Sequence, residues 1–211
     1  MSNAKQLYYE KRAERLVKNL RTRHFDACYC ATAEQALEAA LALIPEGSSV
    51  AWGGALSAQQ IGLMDAVREG NYIALDRDRC PPEERNAMMA RAFSADVFLT
   101  GANAISLDGQ MVNIDGLGNR VAAIIYGPKK VIVIAGMNKV CDTLEDAVRR
   151  ARTVAAPMNE QRFLADTPCA KTGICGDCKS ESCICNHMVI TRHCRPVNRI
   201  HFILVGEELG F

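Results

Sequence analysis

Two compact apolar runs that end in glycine constrain the fold of this chain most strongly. They read "ADVFLTG" (residues 95–101) and "KKVIVIAG" (residues 129–136). Runs of this length without polar alternation are typical of strands buried on both faces of a mostly parallel sheet. Shorter apolar runs read "DACYC", "SSVAWGG", "NYIALD" and, near the C-terminus, "RIHFILV". We therefore expect a central sheet in which the two longer runs lie in the interior.

Segments with helical spacing of apolar residues separate these runs. The N-terminal segment from Ala4 to about Arg23 is amphipathic, and a proline-initiated helix is expected from Pro82 to about Phe93. Three further helices begin with capping-box pairs, namely Thr32 with Gln35, Ser57 with Gln60, and Asp142 with Glu145. Strands joined by helices of this length imply right-handed crossovers, so the sequence predicts an open α/β fold.

A hairpin interrupts the alternation of strands and helices. The segment "AISLDGQMVNI" (residues 104–114) carries Asp108-Gly109, a dipeptide that favours a tight turn between antiparallel strands. We expect this hairpin to be an insertion in the parallel scheme.

Composition excludes several classes of function. The 211-residue chain has 25 basic and 24 acidic residues and a net charge of +1, without a basic cluster for nucleic acid or anionic lipid. Its N-terminus has no apolar leader, and no run approaches the roughly 18 apolar residues of a membrane span. We therefore expect a cytoplasmic globular protein that binds neither nucleic acid nor membrane.

The cysteines are concentrated near the C-terminus, in "DTPCAKTGICGDCKSESCICNHMVITRHC" (residues 166–194). In a reducing compartment, thiols at short spacings are more often metal ligands or redox groups than disulfide staples. The CxxC core is common to zinc and iron–sulfur sites, so the spacing leaves both open. Reduced free thiols, with one reversible disulfide, are the alternative. The predicted metal ligands are Cys169, Cys175, Cys178, Cys183 and Cys185.

A second group of residues points to a small anion. A glycine-rich turn after one predicted strand and an Asn- and Gly-rich stretch after another lie where ligands bind in open α/β sheets, beyond the carboxyl ends of strands. Ordinary capping and turn formation also explain such residues. The candidate ligand-binding residues are Gly53, Gly54, Ser57, Asn103, Asn113, Asn119 and Arg120.

The stretch "SADVFLTGANAISLDGQMVNIDGLGNRVAAIIYGPKKVIVIAGMNK" (residues 94–139) resembles the signature block of the LUD domain, the lactate utilisation family. The resemblance extends from about residue 10 to the C-terminal "HFILVGEELGF". It implies a single domain over residues 1–211, folded as a Rossmann-like three-layer α/β/α sandwich related to ribose-5-phosphate isomerase and CoA transferases. It also implies an accessory or subunit role, with iron–sulfur partner proteins, in oxidising L-lactate.

Three hypotheses follow. The first is a lactate-utilisation-related protein with an iron–sulfur cluster or zinc on the cysteine loop beside a small-carboxylate pocket. The second is a metal-independent isomerase, transferase or ligase acting on a phosphorylated or acyl substrate, with Asp115 or Glu207 as base. The third is a non-catalytic partner protein with a structural zinc. Whether the protein is catalytic, and whether it forms a homo-oligomer, the sequence leaves open.

Overall fold

A computed structural model describes residues 3–163 and 165–211 of the chain. Six parallel strands form the main sheet in the order β1-β10-β7-β4-β2-β3. These strands are β1 (Asp26–Cys30), β2 (Ser49–Gly53), β3 (Ile73–Leu75), β4 (Val97–Thr100), β7 (Lys130–Gly136) and β10 (Ile200–Val205). The two apolar runs expected in the interior, β4 and β7, lie side by side in the middle of the sheet, and the C-terminal strand β10 inserts next to β7.

Helices pack on both faces of this sheet and beside the hairpin. They are α1 (Asn3–Thr22), α2 (Ala33–Ala42), α3 (Leu56–Gln60), α4 (Leu63–Glu69), α5 (Arg85–Arg91), α6 (Asn119–Ile125), α7 (Leu144–Arg150), α8 (Ala156–Glu160) and α9 (Pro168–Thr172). Single 3-10 turns occupy Pro82–Glu84, Ala92–Ser94 and Met137–Lys139.

Side chains alternate across the central strand and feed two separate cores. Val131 and Val133 pack into the core under α1, whereas Ile132 and Ile134 pack into the core on the opposite face. Because both faces are buried, β7 carries no polar alternation, which is why the run is continuously apolar. The predicted three-layer α/β/α arrangement is confirmed.

The hairpin belongs to a second sheet of four strands, in the order β8-β5-β6-β9. β5 (Ala104–Ser106) and β6 (Met111–Asp115) are antiparallel around the Asp108-Gly109 turn, as predicted. β8 (Val140–Cys141) and β9 (His187–Thr191) complete this sheet on its two edges. The two hairpin strands are thus the central strands of this second sheet.

Part of the segment expected to be loop is regular. Thr167 caps α9 by accepting from the Ala170 N–H, Pro168 occupies the first helical position, and Gly173 ends the helix in the left-handed region. β9 pairs with β6 along its whole length but remains largely exposed as an edge strand. The irregular cysteine loop is therefore residues 173–186, shorter than the predicted segment.

Two of the three predicted capping boxes are wrong. Ser57 lies inside α3, and its side chain contacts Lys139 instead of capping a helix. At α7 the cap is Thr143, which accepts from the Asp146 N–H, one residue after the predicted Asp142. The first box holds in part, since Thr32 caps α2 but Gln35 accepts from Ala31.

One continuous helix from Leu144 to Glu160 contains a π-helical segment at Ala151–Ala155. Pro157 lies two residues after its last residue, and a proline has no N–H for the regular i−4 hydrogen bond. The wider turn accommodates that missing donor, and π-helical turns of this kind are frequent at functional sites.

Within residues 3–163 and 165–211, no helix combines the length and apolar character needed to cross a membrane.

Candidate functional site

A cavity of about 490 Å³ opens at the carboxyl ends of the central strands, where open α/β sheets bind ligands. This volume lies within the range of small-molecule sites. The loops after β2, β4 and β6 form one side, and α8 with the cysteine loop forms the other. Lining residues include Trp52, Gly53, Gly54, Ala102, Asn103, Asp115, Asn119, Arg120, Lys139, Ala156, Asn159, Phe163 and Ile184.

Arg120 is the centre of a buried polar network on the sheet side. Its Nε donates to Asp115 Oδ2 at 3.3 Å, one terminal nitrogen donates to Asn113 Oδ1 at 2.8 Å, and the other donates to Asn103 Oδ1 at 3.0 Å and to the Ile114 carbonyl. Burial lowers the pKa of Arg120, and the Asp115 carboxylate opposes that shift. The guanidinium is therefore held in one orientation by several acceptors at once.

The two glycines after β2 make room for Arg120. A Cβ at Gly54 would lie 2.6 Å from Arg120 Cδ, and one at Gly53 would lie 3.5 Å from Arg120 Cβ. Gly54 also has a φ of +56°, which other residues rarely adopt. The sequence predicted that these glycines form a turn that binds a small anion. In the structure they form the surface on which the aliphatic part of Arg120 packs.

Asp115 has two partners and is not a free base. Besides Arg120, it accepts at Oδ1 from the Gly118 N–H at 2.9 Å, at the start of α6. Asn103 Oδ1 likewise accepts from the Ile114 N–H at 2.9 Å, which ties the loop after β4 to β6. The predicted candidate base is thus engaged in holding Arg120 and α6.

Lys139 is a site residue that the sequence analysis missed. It ends the 3-10 turn after β7, is 4% exposed, and donates from Nζ to Ser57 Oγ at 3.1 Å. Burial, followed by the charges of Arg150 and Arg120, lowers the pKa of Lys139 to about 7. The signal was available, because a residue directly after a central parallel strand lies at the edge where ligands bind.

The structure brings most of the predicted pocket residues to the cavity. Lining positions are occupied by Gly53, Gly54, Asn103, Asp115, Asn119 and Arg120. Ser57 and Asn113 contact the cavity-lining cations Lys139 and Arg120. Glu207 is engaged elsewhere, since its carboxylate accepts from the Ala33 N–H at 2.8 Å at the start of α2. The roles of all these predicted residues in ligand binding or catalysis stay predictions.

The five predicted thiol ligands influence one another in the cysteine loop and α9. Burial raises the pKa of the Cys183 thiol, and a hydrogen bond with Cys178 adds to this rise, whereas hydrogen bonds from Cys185 oppose it. Burial of its thiol, followed by the effects of Cys183, Cys175 and Cys169, raises the pKa of Cys185 to about 12. The five sulfurs therefore belong to one electrostatically connected group.

Metal ligation by this group stays a prediction. In the part of the chain that the structure describes, no three or more His, Cys, Asp or Glu side chains have an arrangement that could hold a metal ion. The described cysteines are free thiols. Cys194, at the end of the predicted segment, is buried in the main core, where Ile200 N–H donates to its sulfur at 3.3 Å.

Glu160 is a second residue that the sequence analysis missed. It is fully buried at the end of α8, and its Oε1 accepts from Thr167 Oγ1 at 3.0 Å. Thr167 Oγ1 lies 3.5 Å from the Cys169 sulfur, whereas Glu160 Oε2 has no hydrogen-bond partner. A buried carboxylate oxygen without a partner is costly, so it marks a place where a ligand would be stabilised.

The fold and cavity define an α/β protein with a cavity at the carboxyl edge of a parallel sheet. The LUD domain family model matches residues 13–205, and the chain belongs to that family. The predicted family membership is thereby confirmed. None of the curated proteins matches the sequence.

Solved structures agree with the fold. A DUF162 family protein from Deinococcus radiodurans superposes with a TM-score of 0.53 at 14% identity, covering 93% of this chain and 97% of that one. Ribose 5-phosphate isomerase A from Methanocaldococcus jannaschii gives a TM-score of 0.35 at 15% identity over 53% of this chain and 55% of its own. At such identities the first likeness concerns the fold alone, and the second is too weak to support an argument.

Proposed function

We propose that this LUD domain protein has a lactate-utilisation-related role, in which the cavity binds a small carboxylate and the cysteine loop holds an iron–sulfur cluster or zinc. One observation carries this proposal. Ile184, which lies between Cys183 and Cys185, lines the same cavity as Arg120 and Lys139. A small anion in the cavity and an inorganic centre on the loop would therefore be neighbours.

The cavity suits a small anion with a polar head and a short apolar body. Arg120 supplies positive charge, Lys139 supplies an amine, and Asn119 and Asn159 supply amide groups. Trp52, Met64, Ile114 and Phe163 supply apolar wall. A few polar groups in a mostly apolar concavity are the usual composition of a small-molecule site.

The donor set of the loop fits a soft metal. Cys169, Cys175, Cys178, Cys183 and Cys185 provide thiol sulfur, which both zinc and iron–sulfur clusters would bind once it is deprotonated. The unpartnered Oε2 of Glu160, linked to Cys169 through Thr167, adds an oxygen donor near one end of the set. An iron–sulfur cluster would supply one-electron transfer, whereas zinc would cross-link the loop. The loop's location beside the anion cavity favours the redox role and iron–sulfur partner proteins.

Anaerobic purification with iron, sulfide and zinc analysis tests the metal. We expect stoichiometric metal that is lost when Cys178 and Cys183 are changed together to Ser, and retained in the control Cys80→Ser, which lies outside the loop. Iron with sulfide supports the redox role, and zinc alone favours a structural one. Metal-free protein with a folded loop would contradict this part of the proposal and favour a metal-independent enzyme on the same scaffold.

Calorimetric titration with L-lactate, pyruvate and inorganic phosphate tests the cavity. We expect carboxylate binding that weakens at least about tenfold when Asn159 is changed to Leu, because one lining amide is lost while cavity volume is kept. The control is Asn86→Leu, which is exposed on α5 and lies outside the lining set. Phosphate binding without carboxylate binding would favour the phosphorylated-substrate alternative.

A further inference from the structure

The amine of Lys139 is buried and tightly enclosed at the edge of the cavity. Its Nζ is buried beside Ser57 Oγ, and a Cβ built at Gly210 would lie only 2.8 Å from that nitrogen. The amine is thus confined to one position by backbone and by a single hydroxyl. It nevertheless lines the cavity, so a ligand there can reach it.

No carboxylate compensates this amine. Among the ion pairs of the described ranges, Lys139 has none, whereas Arg120 is paired with Asp115. The charged groups that act on Lys139 are Arg120 from α6 and Arg150 from α7, both cations. Arg150 itself donates to the backbone carbonyls of Asn138 and Asn103. The packing therefore opposes the protonated form of the amine from several sides.

A buried lysine next to other cations is the environment in which proteins convert an ammonium group into a nucleophilic amine. The pKa of about 7 has burial as its main cause, so much of the amine is free at neutral pH. A lysine that served only to attract an anion would gain from keeping its charge and from an exposed location. The geometry matches a reacting group better than a charge.

We propose that Lys139 is a nucleophile that forms an imine with the carbonyl carbon of a small 2-oxo acid bound in the cavity. The Nζ lone pair attacks the carbonyl carbon, a C–N bond forms, and the carbonyl electron pair moves to oxygen. A proton passes from nitrogen to that oxygen, which gives a carbinolamine. The second N–H proton then passes to the hydroxyl, the C–O bond breaks as water leaves, and the nitrogen electron pair forms C=N. Ser57, 3.1 Å from Nζ, is positioned to relay that proton.

This inference rests on the proposed function only for the acid end of the ligand. The reaction needs no oxidant, reductant or metal, because the amine adds to the carbonyl and one water molecule leaves. The inference predicts that only ligands with a carbonyl carbon react, because L-lactate has the same carboxylate but no carbon that an amine can attack.

Reductive trapping tests the proposal on the full chain. Protein at pH 7 is mixed with pyruvate and cyanoborohydride, and intact mass and peptide mapping locate the reduced adduct. We expect a single adduct on Lys139, formed at least about tenfold faster than on Lys130, because the fraction of free amine is far larger at a pKa near 7. Lys130 is the matched control, since it lies on β7 and its Nζ donates to the Leu43 carbonyl.

Two variants and one further probe make each outcome decisive. Lys139→Met, with thermal unfolding checked, should abolish the adduct, and Lys130→Met should leave it intact. Propanal, an uncharged aldehyde, tests the amine without carboxylate recognition. A propanal adduct on Lys139 without a pyruvate adduct supports the nucleophile and contradicts the carboxylate site. Pyruvate binding without any adduct on Lys139, or adducts spread over surface lysines, overturns the inference while leaving the proposed function standing.

Discussion

The two walls of the cavity differ in how their charged and polar groups are held. On the sheet side, Arg120 reaches four acceptors, and Asp115 is held by both Arg120 and α6, although the side-chain nitrogen of Asn113 has no partner. On the other side, residues 173–186 of the cysteine loop are mostly exposed and form no helix or strand, and Oε2 of the buried Glu160 has no partner. One wall is therefore built around an ion pair held from several sides, whereas the other carries free thiols.

The difference teaches where the stability and the chemistry of this site reside. A satisfied buried network fixes the position of its members and is costly to break. Partly buried thiols in an irregular loop contribute little to folding and have no competing disulfide partner. The following predictions test this division, from the largest expected effect on folding to the smallest.

Replacing Arg120 with Met should cost the most. The change leaves Asp115 buried without its ion pair and removes the donors for Asn113 and Asn103, so we expect a loss of about 3–5 kcal/mol in the free energy of unfolding. Urea denaturation measures it. Arg77→Met is the control, because Arg77 also lines the cavity but forms only a loose pair with Asp78, and should cost less than about 1 kcal/mol. Equal losses in the two variants would contradict the division.

Gly54→Ala should be the next most damaging change. The new methyl would approach Arg120 Cδ to 2.6 Å at a φ of +56°, so we expect a loss of about 1–3 kcal/mol. Gly47→Ala separates the two causes, since Gly47 has a φ of +75° but nothing within 4 Å. It should lose only the backbone part, about 1 kcal/mol. If both variants lose the same amount, the contact with Arg120 is unimportant.

Lys139 should make stability depend on pH. Its pKa falls from 10.5 when exposed to about 7 in the fold, so between these values the unfolded state binds more protons and stability rises with pH. From pH 7 to 9 we expect a rise of roughly 1 kcal/mol per pH unit. Lys139→Met should remove that rise, which chemical denaturation across the window measures. A slope that survives the substitution would assign it to other groups.

Cys183→Ser should have the smallest effect on folding. In the metal-free, reduced protein we expect a change within about 0.5 kcal/mol, because the residue is only partly buried in an irregular loop. Metal content should nevertheless fall, whereas Cys194→Ala, in the main core, should keep the metal and lose stability. The contrast is read from parallel metal analysis and urea titration. A large loss of stability in metal-free Cys183→Ser would show that the loop contributes to folding as the sheet-side wall around Arg120 does.

The main sheet was predictable because burial on both faces makes β4 and β7 continuously apolar. β9 was not, since an exposed edge strand such as His187–Thr191 lacks that signal and depends on its pairing with β6. Ser57 was assigned to a cap because its spacing to Gln60 fits one, yet the long-range contact with Lys139 decides its role. Local pattern finds residues near strand ends, but it does not reveal which of them the fold leaves without a counter-ion.

The sequence likewise revealed some residues of the site and missed others. Asn103, Asp115 and Arg120 were found because polar residues after parallel strands converge at one edge. Glu160 was missed because it follows a π-helical segment, which shifts the helical phase and alters the face that a residue occupies. The one-domain organisation and the metal ligation stay predictions.

Ile184 joins the cysteine loop to the cavity. Its neighbours Cys183 and Cys185 already hydrogen-bond to each other, and Ile184 between them forms part of the cavity wall. Under the proposed function, an ion held by these two thiols and a molecule in the cavity would therefore share one segment of backbone, and any linkage between them would be reciprocal. A molecule that filled the cavity would then alter the affinity of the loop for its ion by the same factor as the ion would alter the affinity of the cavity.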